Sequence, residues 1–252
     1  MTGWVIILRV RVNSIRWVLR SVLGGMLLLA GCAAAPTVAR PTAVAPQLRP
    51  VLPHLRAVRI PVYLPSWVPP APRGNYYLLH VNATAAAYSV SFDWTNRSEP
   101  VNGNGMTDMA GTLGQVQGGP PHSLDATVAQ PGWKLSGRPQ PITLPDGRPA
   151  FFYPGQGVFW QQGGWRFEVV SFGPIATSPA VVMPLVRSIL AALGSTGNPV
   201  GPGTRGELLQ GLAPDNAAMT LLWDQGGHQY EVWGYAAPAL RLARSLVRVA
   251  AS

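Results

Sequence analysis

A chain of 252 residues with 12% charged side chains, 28 glycines and 26 prolines is too poor in charge and too rich in turn formers for a helical bundle. Its net charge of +9 suggests a nucleic-acid partner only until the charges are placed: eight of nineteen basic residues precede Ile60, and beyond it eleven basic side chains stand against ten acidic ones. That near-neutral part lacks the electrostatic footprint of nucleic-acid binding, and a single cysteine, Cys32, excludes an intramolecular disulfide.

Arg9, Arg11, Arg16 and Arg20 flank a short apolar run, Val22 to Ala30, broken by Gly24 and Gly25 and followed at once by Gly31 and Cys32. A basic flank, a short apolar core and small residues before a cut form the layout of an export signal. A membrane-spanning helix needs about 18 to 20 apolar residues, and Arg20 interrupts this one too early. Leu29-Ala30-Gly31-Cys32 resembles the lipobox of bacterial lipoprotein precursors, with one departure, a long basic flank before it. The resemblance implies that residues 1–31 are a cleaved signal peptide. Leu29, Ala30 and Gly31 would be read by the signal peptidase, and Cys32 would become the lipidated first residue, with a diacylglyceryl thioether and palmitate-like acyl chains. Two chains hold a protein at a membrane where one does so only marginally. The competing account of Cys32 is a buried free thiol in an ordinary hydrophobic segment.

Residues 32–57 carry prolines at 36, 41, 46, 50 and 53 among Ala, Val and Thr. Such a stretch favours extended polyproline-like conformations and is expected to be a tether with a reach of roughly 70 Å. Its basic residues Arg40, Arg49 and Arg56, with Arg59 just beyond, would sit beside anionic headgroups, each worth about 1 kcal/mol. Residues 58–252 are then one envelope domain. Large apolar residues enter at Ile60–Pro70, where the chain is expected to become ordered.

Tyr76–Val81 and Tyr88–Trp94 read as strands, the second with Tyr88, Val90, Phe92 and Trp94 alternating with Ser89, Ser91 and Asp93. A polar loop rich in Asn and Gly follows, then a short strand over Thr112–Gln117. From Pro141 onward a meander is expected, with strands near Pro141–Leu144, Ala150–Tyr153, Val158–Trp160 and Trp165–Phe172 separated by Asp-Gly and Gly-Gly turns. Met183–Leu193 has helical character and closes at Gly194; an earlier start at Ser178-Pro179 would place Pro184 inside the helix.

An internal repeat stands out. Trp160-Gln-Gln-Gly-Gly-Trp-Arg-Phe-Glu-Val matches Trp223-Asp-Gln-Gly-Gly-His-Gln-Tyr-Glu-Val, and each copy precedes a helix carrying Arg-Ser, at Arg187-Ser188 and Arg244-Ser245. The copies span about 157–194 and 219–250, joined by Ser195–Gly206, a flexible linker by composition. Neither copy can bury a core alone, so the two are expected to share one sheet. The fold class is therefore α+β: a mainly antiparallel curved sheet with two C-terminal helices from a duplicated hairpin–helix unit. This half resembles extracytoplasmic modules of bacterial lipoproteins and sigma-factor-regulating envelope proteins, some with the half-barrel sheet of lipoprotein carriers.

Catalytic candidates are few. His54, His80, His122 and His228 form no His-Glu-x-x-His pair, and neither an esterase elbow nor a nucleotide-binding loop occurs. His228 lies near Asp224 and Glu231, but it also occupies the place of Trp165 and reads better as a polar strand residue. Glu168 and Glu231 are equivalent in the repeat; paired carboxylates can serve as acid and base, while an ion pair with Arg187 or Arg244 of the following helix is simpler. Asn102–Asp108 has one carboxylate where calcium loops carry several, so it reads as turn, and neither metal nor cofactor is expected. Trp160, Trp165, Trp223 and Trp233 would either face an acyl or sugar ligand or fill the core.

Together these features lead to an expectation of a lipid-anchored protein on the extracytoplasmic face of a bacterial membrane. Its role would be non-catalytic binding of a lipid-like or glycan ligand or an envelope protein. The alternatives are a structural or regulatory interaction module without a small ligand, and a wall-acting enzyme should Asp93, Asp108 or Glu168 share a cleft.

Overall fold

The computed structural model describes residues 43–103, 109–124, 135–171, 176–194, 197–201, 204–212 and 218–249. All of them belong to one compact unit, Arg40–Ser252, which carries its own core. Leu29 to Cys32, expected to form a lipobox, and the signal segment expected before them lie outside the described residues.

In chain order the elements are a 3-10 helix (Pro46–Leu55), β1 (Tyr63–Pro65), β2 (Tyr76–Ala83), β3 (Tyr88–Thr95), β4 (Met109–Gly119), β5 (Gln140–Thr143), β6 (Pro149–Tyr153), β7 (Gly157–Gln162) and β8 (Trp165–Ser171). They continue with α1 (Pro179–Leu193), β9 (Arg205–Leu212), β10 (Ala218–Gln225), β11 (His228–Tyr235), α2 (Ala236–Arg244) and β12 (Leu246–Arg248). Ten strands form one open, curved sheet in the order β2-β3-β4-β11-β10-β9-β8-β7-β6-β5, and β1 and β12 form a separate pair. Every pairing in the large sheet is antiparallel except β8 with β9, which run parallel because α1 is the crossover between them. The fold is α+β with a mainly antiparallel sheet.

Alternation decides the two faces. Tyr88, Val90 and Phe92 of β3, Val116 of β4, Tyr230 and Val232 of β11, Leu221 and Trp223 of β10, Leu208 of β9, and Trp165, Phe167 and Val169 of β8 share the inner face and the core cluster. Trp160 stacks on Phe167 with centroids 4.9 Å apart at 7°, and Trp223 stacks on Tyr230 at 5.7 Å and 28°. α1 presents Val182, Val186, Ile189 and Leu193 to this core at helical spacing, and α2 adds Ala239, Leu242 and Ala243. Close approach dictates Gly118 in β4: a Cβ there would meet the rings of Tyr88 and Tyr230 at 2.7 Å.

Two expectations change and one open alternative is decided. Part of the presumed tether is folded: Pro46–Leu55 is a 3-10 helix whose Leu48, Val51 and Leu55 are buried. Pro50 and Pro53 lack the N–H groups an α-helix would use, and the tighter turn still gathers the three apolar residues on one side. The helix left open between two starts takes the earlier one, with Pro179 at its first turn and Pro184 inside. The linker expected to be flexible is pinned where it is described. Asn198 Oδ1 accepts from Val200 N at 3.0 Å, Gly201 N at 2.9 Å and Thr204 Oγ1 at 3.1 Å, and Trp165 Nε1 donates to Thr204 O at 3.1 Å.

The two ends of the unit meet in β1 and β12, where Tyr63 pairs with Arg248 and Pro65 with Leu246. Tyr88 clamps this pair to the sheet: its hydroxyl accepts from Tyr63 N at 2.9 Å and donates to Tyr63 O at 3.1 Å. Burial pushes the Tyr88 phenol well above the usual range. Arg241 of α2 lies over the Trp67 ring at 4.0 Å, and Arg244 donates to Leu193 O at 2.6 Å, the carbonyl end of α1.

Candidate functional site

The outer face of the sheet carries what the core does not use. Register places Arg166, Glu207, Leu222, Glu231, Gln117, Ser89 and Asn82 in one row across seven strands, from β8 to β2. The adjacent row runs Phe159, Glu168, Leu209, Thr220, Trp233, Gln115, Ser91 and His80. Glu231, Glu168, Leu209, Leu222 and Thr220 are buried, while Ser89, Ser91, Gln115, Gln117 and Trp233 are half-buried.

A polar ladder links the accessible part. Gln115 Nε2 donates to Ser89 Oγ at 3.1 Å and to Gln117 Oε1 at 3.0 Å, and Gln117 Nε2 donates to Glu231 Oε2 at 2.9 Å. A glutamine amide has two donors and a carbonyl acceptor. The ladder therefore leaves the Gln115 carbonyl, one Gln117 N–H and the Ser89 hydroxyl proton for other groups. Next to it, Trp233 and Tyr235 lie with ring centroids 5.9 Å apart, both on the outer face of β11. Fixed amides and a hydroxyl beside an aromatic ledge suit a ligand that offers both hydroxyls and apolar ring faces.

Trp160, Trp165 and Trp223 are each 1% exposed and belong to the core, so of the four tryptophans singled out for a ligand only Trp233 reaches the half-buried outer face. His228 lies on the inner face beside Tyr230, with ring centroids 6.5 Å apart, whereas Asp224 and Glu231 lie on the opposite face; the histidine therefore does not meet these acids. Glu168 pairs with Arg166, whose Nε donates to Oε1 at 2.7 Å. That corrects the expected ion pairs with Arg187 and Arg244. Residues that follow an inward aromatic point outward, whereas both helices pack on the inner face, so these carboxylates and helix arginines are on opposite sides.

With β9 and β10 between their strands, the backbones at Glu168 and Glu231 stand roughly 14 Å apart, and the two carboxylates are held by different partners, Arg166 and Gln117, rather than as the close pair of about 5 to 9.5 Å that glycosidases use. Asp93 of β3 is five strand spacings from Glu168, or roughly 24 Å, and Asp108 lies outside the described residues. No group of three His, Cys, Asp or Glu positioned for a metal occurs among the described residues. The first residue of the loop considered for calcium, Asn102, instead fastens the β2 edge: its Oδ1 accepts from Val81 N at 2.7 Å and its Nδ2 donates to Val81 O at 3.2 Å.

Ser89, Gln115 and Gln117 were not singled out from sequence. The available signal was the period of two in Gln115-Val116-Gln117, which puts two amides on the face opposite a core valine. No helix among the described residues is long and apolar enough to cross a membrane. Comparison of the chain with protein-family models, with curated proteins and with solved structures finds no match.

Proposed function

We propose that this chain is a lipoprotein anchored through Cys32 to the extracytoplasmic face of a bacterial membrane, and that its domain binds a hydroxyl-rich ligand, a glycan of the envelope, without catalysing a reaction. The observation that carries the binding role is the ladder of Ser89, Gln115, Gln117 and Glu231 beside Trp233. The aromatic inner face is a filled core, so an acyl ligand there is the weaker form of the idea. The lipobox and the basic and apolar segments before it support the anchor.

Titration of the Arg40–Ser252 protein with soluble wall glycan fragments is expected to change Trp233 fluorescence. Gln117→Ala and Trp233→Ala should weaken binding at least tenfold. Absence of saturable binding, or binding indifferent to both substitutions, would sink the glycan reading. In cells, a clickable palmitate analogue should label the wild type and not Cys32→Ala; equal labelling would remove the anchor.

A second reading keeps the anchor and makes this face a docking surface for an envelope protein with no small ligand. It is favoured by the lateral spread of the two polar rows over many strands, wider than a small ligand needs.

We also propose that β7-β8-α1 and β10-β11-α2 are copies of one hairpin–helix unit. Both hairpins turn on two glycines with positive φ, Gly163 (57°) and Gly164 (85°), Gly226 (60°) and Gly227 (77°). Both stack the equivalent cross-strand aromatics, Trp160 on Phe167 and Trp223 on Tyr230. Replacing residues 160–169 by the sequence of 223–232 should leave a cooperatively folding protein; a non-cooperative product would argue against equivalence.

A further inference from the structure

The described surface also holds a groove of about 460 Å³ where the end of the 3-10 helix and the following segment meet the end of β12. Leu52, Ile60 and Val249 contribute apolar surface, Arg56, Arg59 and Arg248 contribute charge, and no lining residue is acidic. All three arginines are exposed, and none has a carboxylate partner among the described residues. Three arginines elsewhere are neutralised by acids, Arg97 with Glu99, Arg148 with Asp146 and Arg166 with Glu168. Three guanidinium groups without a carboxylate around one apolar floor make a local cluster of positive charge on an otherwise near-neutral domain.

We infer that this groove seats the phosphate headgroup of an anionic phospholipid and so fixes which side of the domain faces the membrane. Guanidinium groups offer paired donors to phosphate oxygens, and the apolar floor accommodates the glycerol and first methylenes that follow a lipid phosphate. A free phosphate would use the charge and leave the floor uncovered, which is why a membrane lipid is the occupant. Chain geometry agrees. Only residues 33–44 separate the proposed anchor Cys32 from Ala45, the first buried residue among those described, so that stretch reaches at most roughly 45 Å. Arg248 is the informative member, because it comes from the opposite end of the chain and is brought to Arg56 and Arg59 only by the fold.

The inference extends the anchored reading, and its test is independent of acylation. The Arg40–Ser252 protein, which holds every described element and the core, is sedimented with vesicles of phosphatidylglycerol mixed into phosphatidylcholine and with vesicles of phosphatidylcholine alone. Binding is expected to the first and not to the second, and to weaken with salt. A basic side chain near an anionic surface contributes about fivefold, so Arg56→Gln, Arg59→Gln and Arg248→Gln together should cost roughly a hundredfold. Arg73→Gln with Arg187→Gln, exposed arginines outside the groove, should change binding by less than about threefold. Since all five positions are exposed, an unchanged melting temperature is expected for both variants. Equal losses in the two variants would reduce the effect to net charge, and no loss in the triple variant, or equal binding to both vesicles, would overturn the inference. Failure here leaves palmitate labelling of Cys32 and glycan titration unaffected.

Discussion

The two faces of the sheet are built from the same strands and by alternate residues, yet they do different work. On the inner face Trp160, Phe167, Trp223 and Tyr230 interlock under α1 and α2. One residue further along, on the outer face, stand Glu168, Glu231 and the glutamines that hydrogen-bond across β4 and β11. If the outer face recognises a ligand as proposed, stability and recognition are separated by a single step along each strand, and changes on one face should leave the other largely unaffected. The sharpest test is Trp160→Ala. Truncating a fully buried tryptophan costs about 3 to 5 kcal/mol, and with the indole gone Phe167 loses its stacking partner. In a domain of this size the melting temperature should fall by roughly 10 °C. A loss under about 1 kcal/mol, read by urea denaturation, would break the division between faces.

A smaller effect is expected where the inner face meets the β1–β12 pair. Tyr88→Phe removes one hydroxyl but strips two backbone groups of Tyr63 of their partner in a half-buried setting. The cost should be about 1 to 3 kcal/mol, with faster hydrogen exchange at Tyr63 than at Leu221 in the centre of the sheet. Equal acceleration at both amides would mean that the pair does not open separately from the sheet.

The same tyrosines predict an alkaline response. Burial, with a smaller contribution from Tyr63, pushes Tyr230 up to about 12, partly offset by Arg248, and burial pushes Tyr88 up as well. An unfolded tyrosine loses its proton near pH 10, while the folded ones keep theirs to higher pH. Above pH 10 the native state therefore binds more protons than the unfolded one, and stability falls by at most about 1.4 kcal/mol per pH unit for each tyrosine. For Tyr230 the loss runs from pH 10 to about 12. The Tyr230→Phe protein should show a shallower decline across that window, and an identical slope would remove the tyrosine from the account.

How much of this was legible follows from what spacing encodes. Tyr88–Thr95 was readable because its large residues alternate cleanly with serines until the register shift after Phe92, and the Gly-Gly turns marked both later hairpins. Strand β9 was not readable: Leu208 and Leu209 are adjacent, both buried, and point to opposite faces, so no period of two appears. The 3-10 helix was hidden by its prolines, which composition assigns to an extended tether. For the site, the equivalence of Glu168 and Glu231 was visible, but their partners were not. Which face a helix covers is a property of the assembled sheet, and nothing in the distance from Glu231 to Arg244 along the chain records it. Arg248 and Arg56 were equally beyond reach, since only the β1–β12 pairing brings the ends of the unit together.

The smallest change in stability should come from the outer face, and it tests the comparison from the other side. Gln117→Ala removes one bond to Gln115 and one to the buried Glu231, but Gln117 itself is half-buried and water can enter the space its side chain leaves, so the cost should stay at about 1 kcal/mol. Trp160→Ala should lower the melting temperature strongly, and at temperatures where it remains folded it should still bind glycan with near-native affinity. Gln117→Ala should do the reverse, melting near the wild type while binding at least tenfold more weakly. Calorimetric melting and glycan titration of the two proteins side by side would show this crossed pattern. If Gln117→Ala instead costs several kcal/mol, the ladder is a structural network that ties β4 to β11, and recognition must lie elsewhere on the domain.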